Sequence, residues 1–214
     1  MHRSGTSSLA GLFAAGGLWV GNISQRHNHM ERSDVNRIND LILSRFGGTW
    51  KRPPRTVDCT RVRRGRIRRA LRPYARHPYW VIKDPRFLFT LDAWLPHAGA
   101  YRLVGTFRHP LAVARSLRAR DDLPLEQGIA LWTRYNHKLV ALHRRHPFPL
   151  ICFDASGDDY LDRFRSLCAS LDIPCDEEAA ARHYAPHLIS HDGEGANGLP
   201  EETTALHAYL VEHA

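Results

Sequence analysis

The sequence predicts a single three-layer α/β domain over residues 1–214, in which helices cover both faces of a parallel sheet. Short apolar runs typical of buried strands alternate with longer segments of helical periodicity. A chain of 214 residues is long enough for one compact domain with a sizeable core. No apolar stretch approaches the length of a membrane span, so we expect no transmembrane segment.

The first half of the chain contains two predicted helices. The first covers residues 7–15 and has apolar side chains at i, i+3 and i+4, namely Leu9, Leu12 and Phe13. The second covers residues 33–46, with Ser33 as its N-cap and Gly47 and Gly48 as its end. Its predicted apolar face consists of Val35, Ile38, Leu41, Ile42 and Phe46.

Three β-rich runs supply the predicted strands: YWVIKDPR (79–86), YRLVGTFRHP (101–110) and FPLICFD (148–154). Further helices are predicted over 110–120, 125–143, 160–171 and 201–213, the first with Pro110 in its first turn. Lys83 and Asp84 follow one strand and Arg108 follows another. Parallel sheets bind ligands at the carboxyl ends of their strands, so these side chains are candidates for a site.

Composition and charge limit the classes of partner and compartment. The net charge of +8 favours an anionic partner. The four cysteines show no CxxC pairing and the N-terminus lacks a basic-then-apolar leader, so we expect reduced thiols in a cytoplasmic protein. No HExxH occurs and no His/Cys pair has zinc-finger spacing, so we expect no metal site.

Eight arginines lie between Arg61 and Arg76, in the run TRVRRGRIRRALRPYARHP. Three interpretations remain open at this point: a solvated basic face, a groove for an anionic or sugar-rich acceptor, and a surface for nucleic acid. Nucleic acid is the least favoured, because Tyr74 is the run's one aromatic residue and no recognition motif matches.

The opening stretch HRSGTSS has the spacing of a phosphate-binding loop. When Gly5 is aligned with the second glycine of GxxxxGK[ST] and Ser7 with its hydroxyl residue, Thr6 takes the place of the lysine. Backbone N–H groups from Ser4 to Ser7, with a helix N-terminus behind them, favour an anion, and Arg3 supplies a cation. The alternative is a frayed terminus rich in serine and glycine.

A second candidate anion site lies in FRHPLAVARSL. Arg108 ends a strand and Ser116 follows eight residues later within a helix, so both side chains can point to one place. A guanidinium and a hydroxyl together suit a terminal phosphate. Two anion sites on one sheet indicate a ligand with two separated anionic groups.

These motifs together resemble the sulfotransferases that use PAPS (3′-phosphoadenosine 5′-phosphosulfate), and the bacterial-type branch in particular. HRSGTSS, KDPR and the R-x7-S spacing follow one another as in that family. An acidic residue before a helix (Glu31), IND (38–40), GGTW (47–50) and LPLEQGIALWTRYN (123–136) add to the likeness. The resemblance runs from Met1 to about Asp172 and implies a P-loop-like sulfotransferase fold whose reaction needs no metal.

The resemblance also implies how the co-substrate is bound. The residues that would wrap the 5′-phosphosulfate are Ser4, Gly5, Thr6, Ser7 and Ser8. Arg3 occupies the position of the basic residue that meets the bridging and sulfuryl oxygens. Arg108 and Ser116 would hold the 3′-phosphate, the group that distinguishes PAPS from ATP.

The catalytic assignments follow from the same likeness. Arg3 and Lys83 would stabilise charge on the leaving oxygen, and Glu31 would take the proton of the acceptor, with His29 as the second candidate. The alternative for Glu31 is an acid that favours a helix start, and for Lys83 a strand-end ion pair. The acceptor would be a hydroxyl or amine of a small molecule or a glycan.

Two rival functions remain open. A P-loop kinase is the enzymatic rival, and Thr6 at the lysine position counts against it. A basic module that binds polyanions without catalysis is the other rival.

The chain departs from the family pattern in two places. In the family an apolar strand precedes the loop, so we expect a misplaced start at Met1, the alternative being a truncated and inactive relative. HYAPHLISHD (183–192) is a degenerate form of a family segment that usually carries arginine where Ile189 stands. This departure removes the support for a cofactor contact from that segment.

Overall fold

The computed structural model describes residues 1–23, 30–155, 157–184 and 198–214. The chain divides into two compact units. Unit 1 is drawn from Met1–Thr6, Arg102–Asp172 and Tyr184–Ala214, and unit 2 from Ser7–Tyr101 and Ile173–His183. The expectation of one domain over residues 1–214 stays a prediction.

The elements are α1 (Thr6–Ala15), α2 (Ser33–Arg45), α3 (Arg64–Leu71), α4 (Phe87–Trp94), β1 (Gly105–Phe107), α5 (Pro110–Asp121), α6 (Leu125–Arg145), β2 (Leu150–Cys152), α7 (Gly157–Leu171), α8 (Glu177–His183) and α9 (Glu201–Glu212). Short 3₁₀ turns lie at Cys59–Arg61, Tyr74–Arg76 and Leu95–His97.

Unit 1 is built around two parallel strands. Gly105 of β1 lies opposite Leu150 of β2, and Phe107 lies opposite Cys152. The backbone N–H of Phe153 donates to the Phe107 carbonyl at 2.9 Å and extends this ladder. The helices α5 and α6 connect the strands and pack on each other, α9 packs on α6, and α7 packs against β2. The carboxyl ends of β1 and β2 therefore bring the segments that begin at Arg108 and Phe153 to one edge of the sheet.

Unit 2 has an aromatic and aliphatic core between α2, α3 and α4. Its buried members are Val35, Ile38, Ile42, Ile67, Ala70, Leu71, Tyr74, Ala93 and Trp94. An isolated parallel bridge joins Trp19 to Trp80, with the N–H of Val81 donating to the Trp19 carbonyl at 2.9 Å. This bridge places the chain directly before Lys83 within the unit.

The α/β class and the parallel pairing agree with the sequence prediction, whereas the described sheet has two strands. Of the three predicted strands, those within 101–110 and 148–154 form, and 79–86 contributes the single bridge at Trp80. That run reaches KDPR after four apolar or aromatic residues, and there the backbone N–H and the guanidinium of Arg86 donate to the Asp84 carboxylate. The predicted helices form with ends shifted by a few residues.

Helix α2 differs from its prediction at its start and on its buried face. Arg32 is the N-cap and Ser33 is the first helical residue. Leu41 is 45% exposed, whereas Leu43 is fully buried. Leu41 and Leu43 lie at opposite edges of the apolar face of this helix, so the sequence pattern fits burial of either one. Packing against α3 and α4 buries Leu43.

No helix in the described ranges combines the length and the apolar character that a bilayer crossing requires.

Candidate functional site

In unit 1 the opening loop is fastened to β1 by close contacts. The Thr106 hydroxyl donates to the Ser4 carbonyl oxygen at 2.9 Å. Gly5 has a φ of +78°, and a Cβ atom there would lie 2.2 Å from a ring carbon of Phe153. Only glycine fits this combination of left-handed backbone and close approach. The part of the loop up to Thr6 is thus packed within unit 1, unlike a frayed terminus.

The Ser4 side chain is buried without a hydrogen-bond partner among the described residues. Buried hydroxyl groups are normally hydrogen-bonded, because a lost bond to water is otherwise not replaced. The Ser4 hydroxyl is therefore an unsatisfied polar group inside the loop, of a kind that native structures retain where a role requires it.

Arg3 connects the loop to α5. Its Nε atom donates to the Ser116 hydroxyl oxygen at 2.7 Å. Its own φ of +63° is unusual for a residue with a side chain, and such backbone strain concentrates at functional sites. Two of the residues predicted from separate motifs thus meet within unit 1.

Arg108 follows β1 and is 4% exposed. Its Nε atom donates to Asp154 Oδ1 at 3.0 Å, and the other oxygen of that carboxylate accepts the backbone N–H of His109 at 2.5 Å. The indole N–H of Trp132 donates to the Arg108 carbonyl at 2.9 Å. The backbone of Arg108 is therefore fixed, and a carboxylate holds its guanidinium at the edge of the sheet.

The local field around Arg3 is positive. Burial lowers the pKa of Arg3, and the charges of Arg120 and Arg108 lower it further, while Asp121 acts in the opposite direction. Arg120 lies one turn after Ser116 on α5 and pairs with Asp121 at 2.7 Å. Three guanidinium groups near one hydroxyl make this edge of unit 1 suitable for an anion.

Unit 2 contains a second cluster, formed by Lys83, Glu31 and Ser7. The Lys83 ammonium lies 2.6 Å from Glu31 Oε1 and donates to the Ser7 hydroxyl at 3.1 Å. The Lys83 and Glu31 side chains are 10% and 11% exposed. Burial lowers the pKa of Lys83 from its usual range, and the adjacent Glu31 carboxylate opposes this shift.

A polar network orients Glu31 and the segment around it. Asn36 of α2 donates to Glu31 Oε2 at 2.8 Å, and the Arg86 guanidinium lies 3.9 Å from the same oxygen. Arg86 also donates to both oxygens of buried Asp84, which accepts a further bond from Asn39. Asp84 thus orients Arg86 and α2, and it does not contact Lys83 through any described hydrogen bond.

The predicted site residues divide between the units. Those in unit 1 are Arg3, Ser4, Gly5, Thr6, Arg108 and Ser116. Those in unit 2 are Ser7, Ser8, Glu31 and Lys83. Thr6 is the first residue of α1, and Ser8 is half-buried in its first turn. His29 and Ile189 lie outside the described residues.

Among the residues that sequence reasoning missed are Asp154 and Asn36, which bind predicted side chains, and Arg120, whose charge acts on Arg3. Asp154 ends the run FPLICFD, so its place at a carboxyl end of a parallel strand was a usable signal. Arg120 lies four residues after Ser116, a spacing that puts two side chains on one helix face. Asn36 gave no comparable signal, since a polar residue on α2 is ordinary for a helix surface.

Across the described ranges, no cluster of three or more His, Cys, Asp or Glu side chains is placed to hold a metal ion. In comparisons with known proteins, the chain matches no family model, and no curated protein or solved structure is significantly similar to it.

Proposed function

We propose that this chain is a PAPS-dependent sulfotransferase that transfers a sulfuryl group to a hydroxyl or amine acceptor. The observation that carries the proposal is the meeting of Arg3, Ser116 and the Arg108 edge in unit 1. Arg3 comes from the HRSGTSS motif, and Arg108 and Ser116 come from FRHPLAVARSL. The resemblance to sulfotransferases implies that both motifs bind PAPS. The proposal includes the three-layer sulfotransferase fold, of which the described strands β1 and β2 would form part.

The residues of unit 1 fit the anionic groups of PAPS. The Ser4 hydroxyl has no hydrogen-bond partner among the described residues, and the Gly5 backbone leaves no room for a side chain beside Phe153. Arg3 would meet the phosphosulfate, and Arg108 with Ser116 would hold the 3′-phosphate. In this structure Asp154 accepts the Nε–H of Arg108, so the guanidinium is already oriented toward an oxygen anion.

The reaction is an in-line transfer. The acceptor oxygen or nitrogen forms a bond to sulfur, and the bond between sulfur and the bridging phosphate oxygen breaks. The products are the sulfated acceptor and PAP (3′-phosphoadenosine 5′-phosphate). The acceptor proton passes to Glu31, and the charge that develops on the leaving oxygen is stabilised by Arg3 and Lys83.

The Lys83–Glu31 pair suits these two tasks. Lys83 is buried and has a lowered pKa, so its charge acts in a weakly screened environment. Glu31 is held by Asn36 through one oxygen and by Lys83 through the other.

A non-catalytic module for polyanions is the second candidate, and the arginine run favours it. It predicts binding to acidic chains that weakens steeply with salt and does not depend on a nucleotide. A P-loop kinase has less support, because Thr6 stands where the phosphate-binding lysine would be.

The test is a thermal-shift titration with PAP beside AMP and ATP–Mg²⁺. AMP is PAP without its 3′-phosphate, so the pair isolates that group. At about 100 times its Kd, PAP should stabilise the fold by about 2.7 kcal/mol, which raises Tm by roughly 5–10 °C for a chain of this size. AMP and ATP–Mg²⁺ should have smaller effects. No shift with PAP on a folded protein rules out the proposal, and a larger shift with ATP–Mg²⁺ favours the kinase.

A further inference from the structure

The positive charge of this protein is concentrated in residues 51–76. That segment contains eleven Lys and Arg residues and one acidic residue, a net charge of +10. The other 188 residues contain nineteen basic and twenty-one acidic residues, a net charge of −2. The whole excess of +8 therefore comes from one eighth of the chain. We name this segment the basic surface.

All eleven basic side chains of the basic surface are exposed. Within the described ranges, the seven arginines from Arg63 to Arg76 form no salt bridge with a carboxylate. The pKa of His97 is lowered by partial burial and, in addition, by the charges of Arg68 and Arg64. The positive field of this segment therefore reaches a neighbouring group. Like charges held together on one surface repel, so a folded protein keeps them at a cost in stability.

The basic surface is ordered and not a tail. Ile67, Ala70 and Leu71 of α3 are buried in the core of unit 2, and Tyr74 is 1% exposed. Arg64, Arg68 and Arg72 follow one another at i, i+4 and i+8, which makes a row about 12 Å long on the outer side of α3. A preformed row binds a chain of negative charges with little loss of side-chain and backbone freedom.

The basic surface is also joined to the segment that carries Glu31. Arg32, the next residue, donates from Nη1 to the Ala70 carbonyl at 3.3 Å, and its guanidinium lies 5.2 Å from the centre of the Tyr74 ring. Helix α3 therefore contacts the neighbour of Glu31, the residue to which we assign the acceptor proton. Both belong to unit 2.

The chemistry of the surface selects among polyanions. A membrane-bound helix needs an apolar face to insert, and the apolar face of α3 is already buried. Single-stranded nucleic acids and protein partners use exposed aromatic or apolar anchors, and among the described residues the large exposed ones, Leu41, Tyr79, Tyr101 and Val211, all lie outside residues 51–76. A polysaccharide with carboxylate or sulfate groups needs neither kind of anchor.

We infer that the basic surface docks an acidic polysaccharide chain, and that a hydroxyl group of this chain is the acceptor. The first part stands on the charge distribution and the order of α3. The second part rests on the proposed function.

The experiment compares two triple variants of the full chain. R64Q/R68Q/R72Q removes the row, and R37Q/R45Q/R118Q removes the same charge from exposed arginines of α2 and α5. Binding of a fluorescent heparin oligosaccharide is measured by anisotropy at several salt concentrations, beside duplex DNA and polyglutamate of matched charge. Circular dichroism and Tm verify folding, and the row variant should melt no lower than the wild type because its arginines repel one another.

We expect the row variant to bind the oligosaccharide about tenfold or more weakly, with a salt slope reduced by about two to three, and the control variant to change by less than about twofold. Equal loss in both variants would overturn the inference, as would DNA or polyglutamate binding as tightly as the oligosaccharide. Oligosaccharide binding needs no nucleotide, so it is read separately from stabilisation by PAP. If PAP binds and the oligosaccharide does not, the docking inference is wrong and the proposed function is unaffected. If the oligosaccharide binds and PAP does not, the acceptor role and the proposed function are wrong, and the docking surface remains.

Discussion

Lys83 and Glu31 form a nearly buried ion pair in unit 2, with the ammonium nitrogen 2.6 Å from Glu31 Oε1. A buried pair of this kind is sensitive to the loss of either partner, because the remaining charge is left without compensation. The other carboxylate oxygen, Glu31 Oε2, accepts a hydrogen bond from Asn36 and lies 3.9 Å from the Arg86 guanidinium. Neutralising the Glu31 carboxylate alone distinguishes two roles for this pair. A structural role predicts a loss of stability or of PAP binding, and a proton-transfer role predicts a slower reaction.

Glu31→Gln should slow sulfuryl transfer by about 10²–10⁴-fold and leave the affinity for PAP unchanged. Glutamine keeps the shape and can still accept from Lys83, but it cannot take the acceptor proton. The measurement is transfer of ³⁵S from labelled PAPS to an acceptor that the wild-type chain sulfates, together with the Tm shift by PAP. Unchanged transfer would clear Glu31 as the base, and a fall in transfer that follows a loss of PAP binding would indicate a structural role.

Arg108→Ala should weaken the binding of PAP by about 10- to 100-fold, since a charge-assisted hydrogen bond to the 3′-phosphate is lost. The binding of AMP, which lacks that phosphate, should change little. Isothermal titration of both nucleotides measures the difference. Asp154→Asn serves as the companion variant, because it removes the carboxylate that now accepts from Arg108 and should leave PAP binding intact or tighter. Equal losses for PAP and AMP would remove Arg108 from the 3′-phosphate.

Arg120→Ala should weaken PAP binding by about 3- to 10-fold, because Arg120 contributes to the positive field at Arg3 and Ser116. Arg118→Ala is the matched control, since it removes the same charge from an exposed position two residues earlier on α5. Titration with PAP at low and at physiological salt should show the difference shrinking as salt screens the field. The same loss in both variants would mean that total charge, and not the position of Arg120, matters.

Gly5→Ala should destabilise the fold, because its Cβ atom would lie 2.2 Å from the Phe153 ring on a backbone with a φ of +78°. A strained, overpacked site of this kind costs about 1–3 kcal/mol, which lowers Tm by roughly 2–10 °C. Gly65→Ala is the control, since nothing lies within 4 Å of a Cβ there and its φ is not in the left-handed region. That substitution within α3 should keep or raise Tm. An unchanged Tm in Gly5→Ala would show that the loop is not packed as described.

Unit 1 should lose stability as the pH falls below neutrality. Burial lowers the pKa of His109 and of His207, and the nearby His109 ring, 4.9 Å away, lowers that of His207 further. The Asp154 carboxylate opposes both shifts without reversing them. Between these lowered values and about 6.5 the unfolded chain binds more protons than the folded one, so the free energy of unfolding rises with pH. Tm should therefore fall between about pH 7.5 and 5.5.

His207→Gln should flatten this pH dependence of Tm, whereas His146→Gln, at an exposed position, should leave it unchanged. Differential scanning calorimetry across the range provides the comparison. Identical slopes in the wild type and His207→Gln would show that the His109–His207 contact does not set the acid sensitivity.

Local patterns predicted most helices and two strands, because their apolar spacing and their Pro and Gly signals are independent of distant residues. The sequence did not predict helix α3, because its apolar face consists of three residues, Ile67, Ala70 and Leu71. The arginines around them make the segment too polar for a clear amphipathic pattern. The sequence did not predict helix α4, because its first residues, FLFTL (87–91), are apolar on almost every side of the helix. Such a run shows no helical periodicity.

For the candidate site, the sequence predicted the loop HRSGTSS and an arginine, Arg108, at the end of a strand. It could not predict that Arg3 would donate to Ser116, since this contact joins positions 113 residues apart. The carboxylate of Asp154 on Arg108 depends likewise on the parallel register of β1 and β2. Such pairings are decided by tertiary packing, and they have no counterpart in local spacing.

The order of chain segments in unit 1 has a consequence for synthesis on the ribosome. Ser4 and Arg3 are synthesised more than a hundred residues before Thr106 and Ser116, the residues that hold them. At about 5–20 residues per second, the loop waits roughly 5–20 s for its partners. Closing so long a loop is slow relative to local helix formation. The opening loop is therefore fastened late, and a nascent chain released before Thr106 would lack the contacts that hold Ser4 and Arg3.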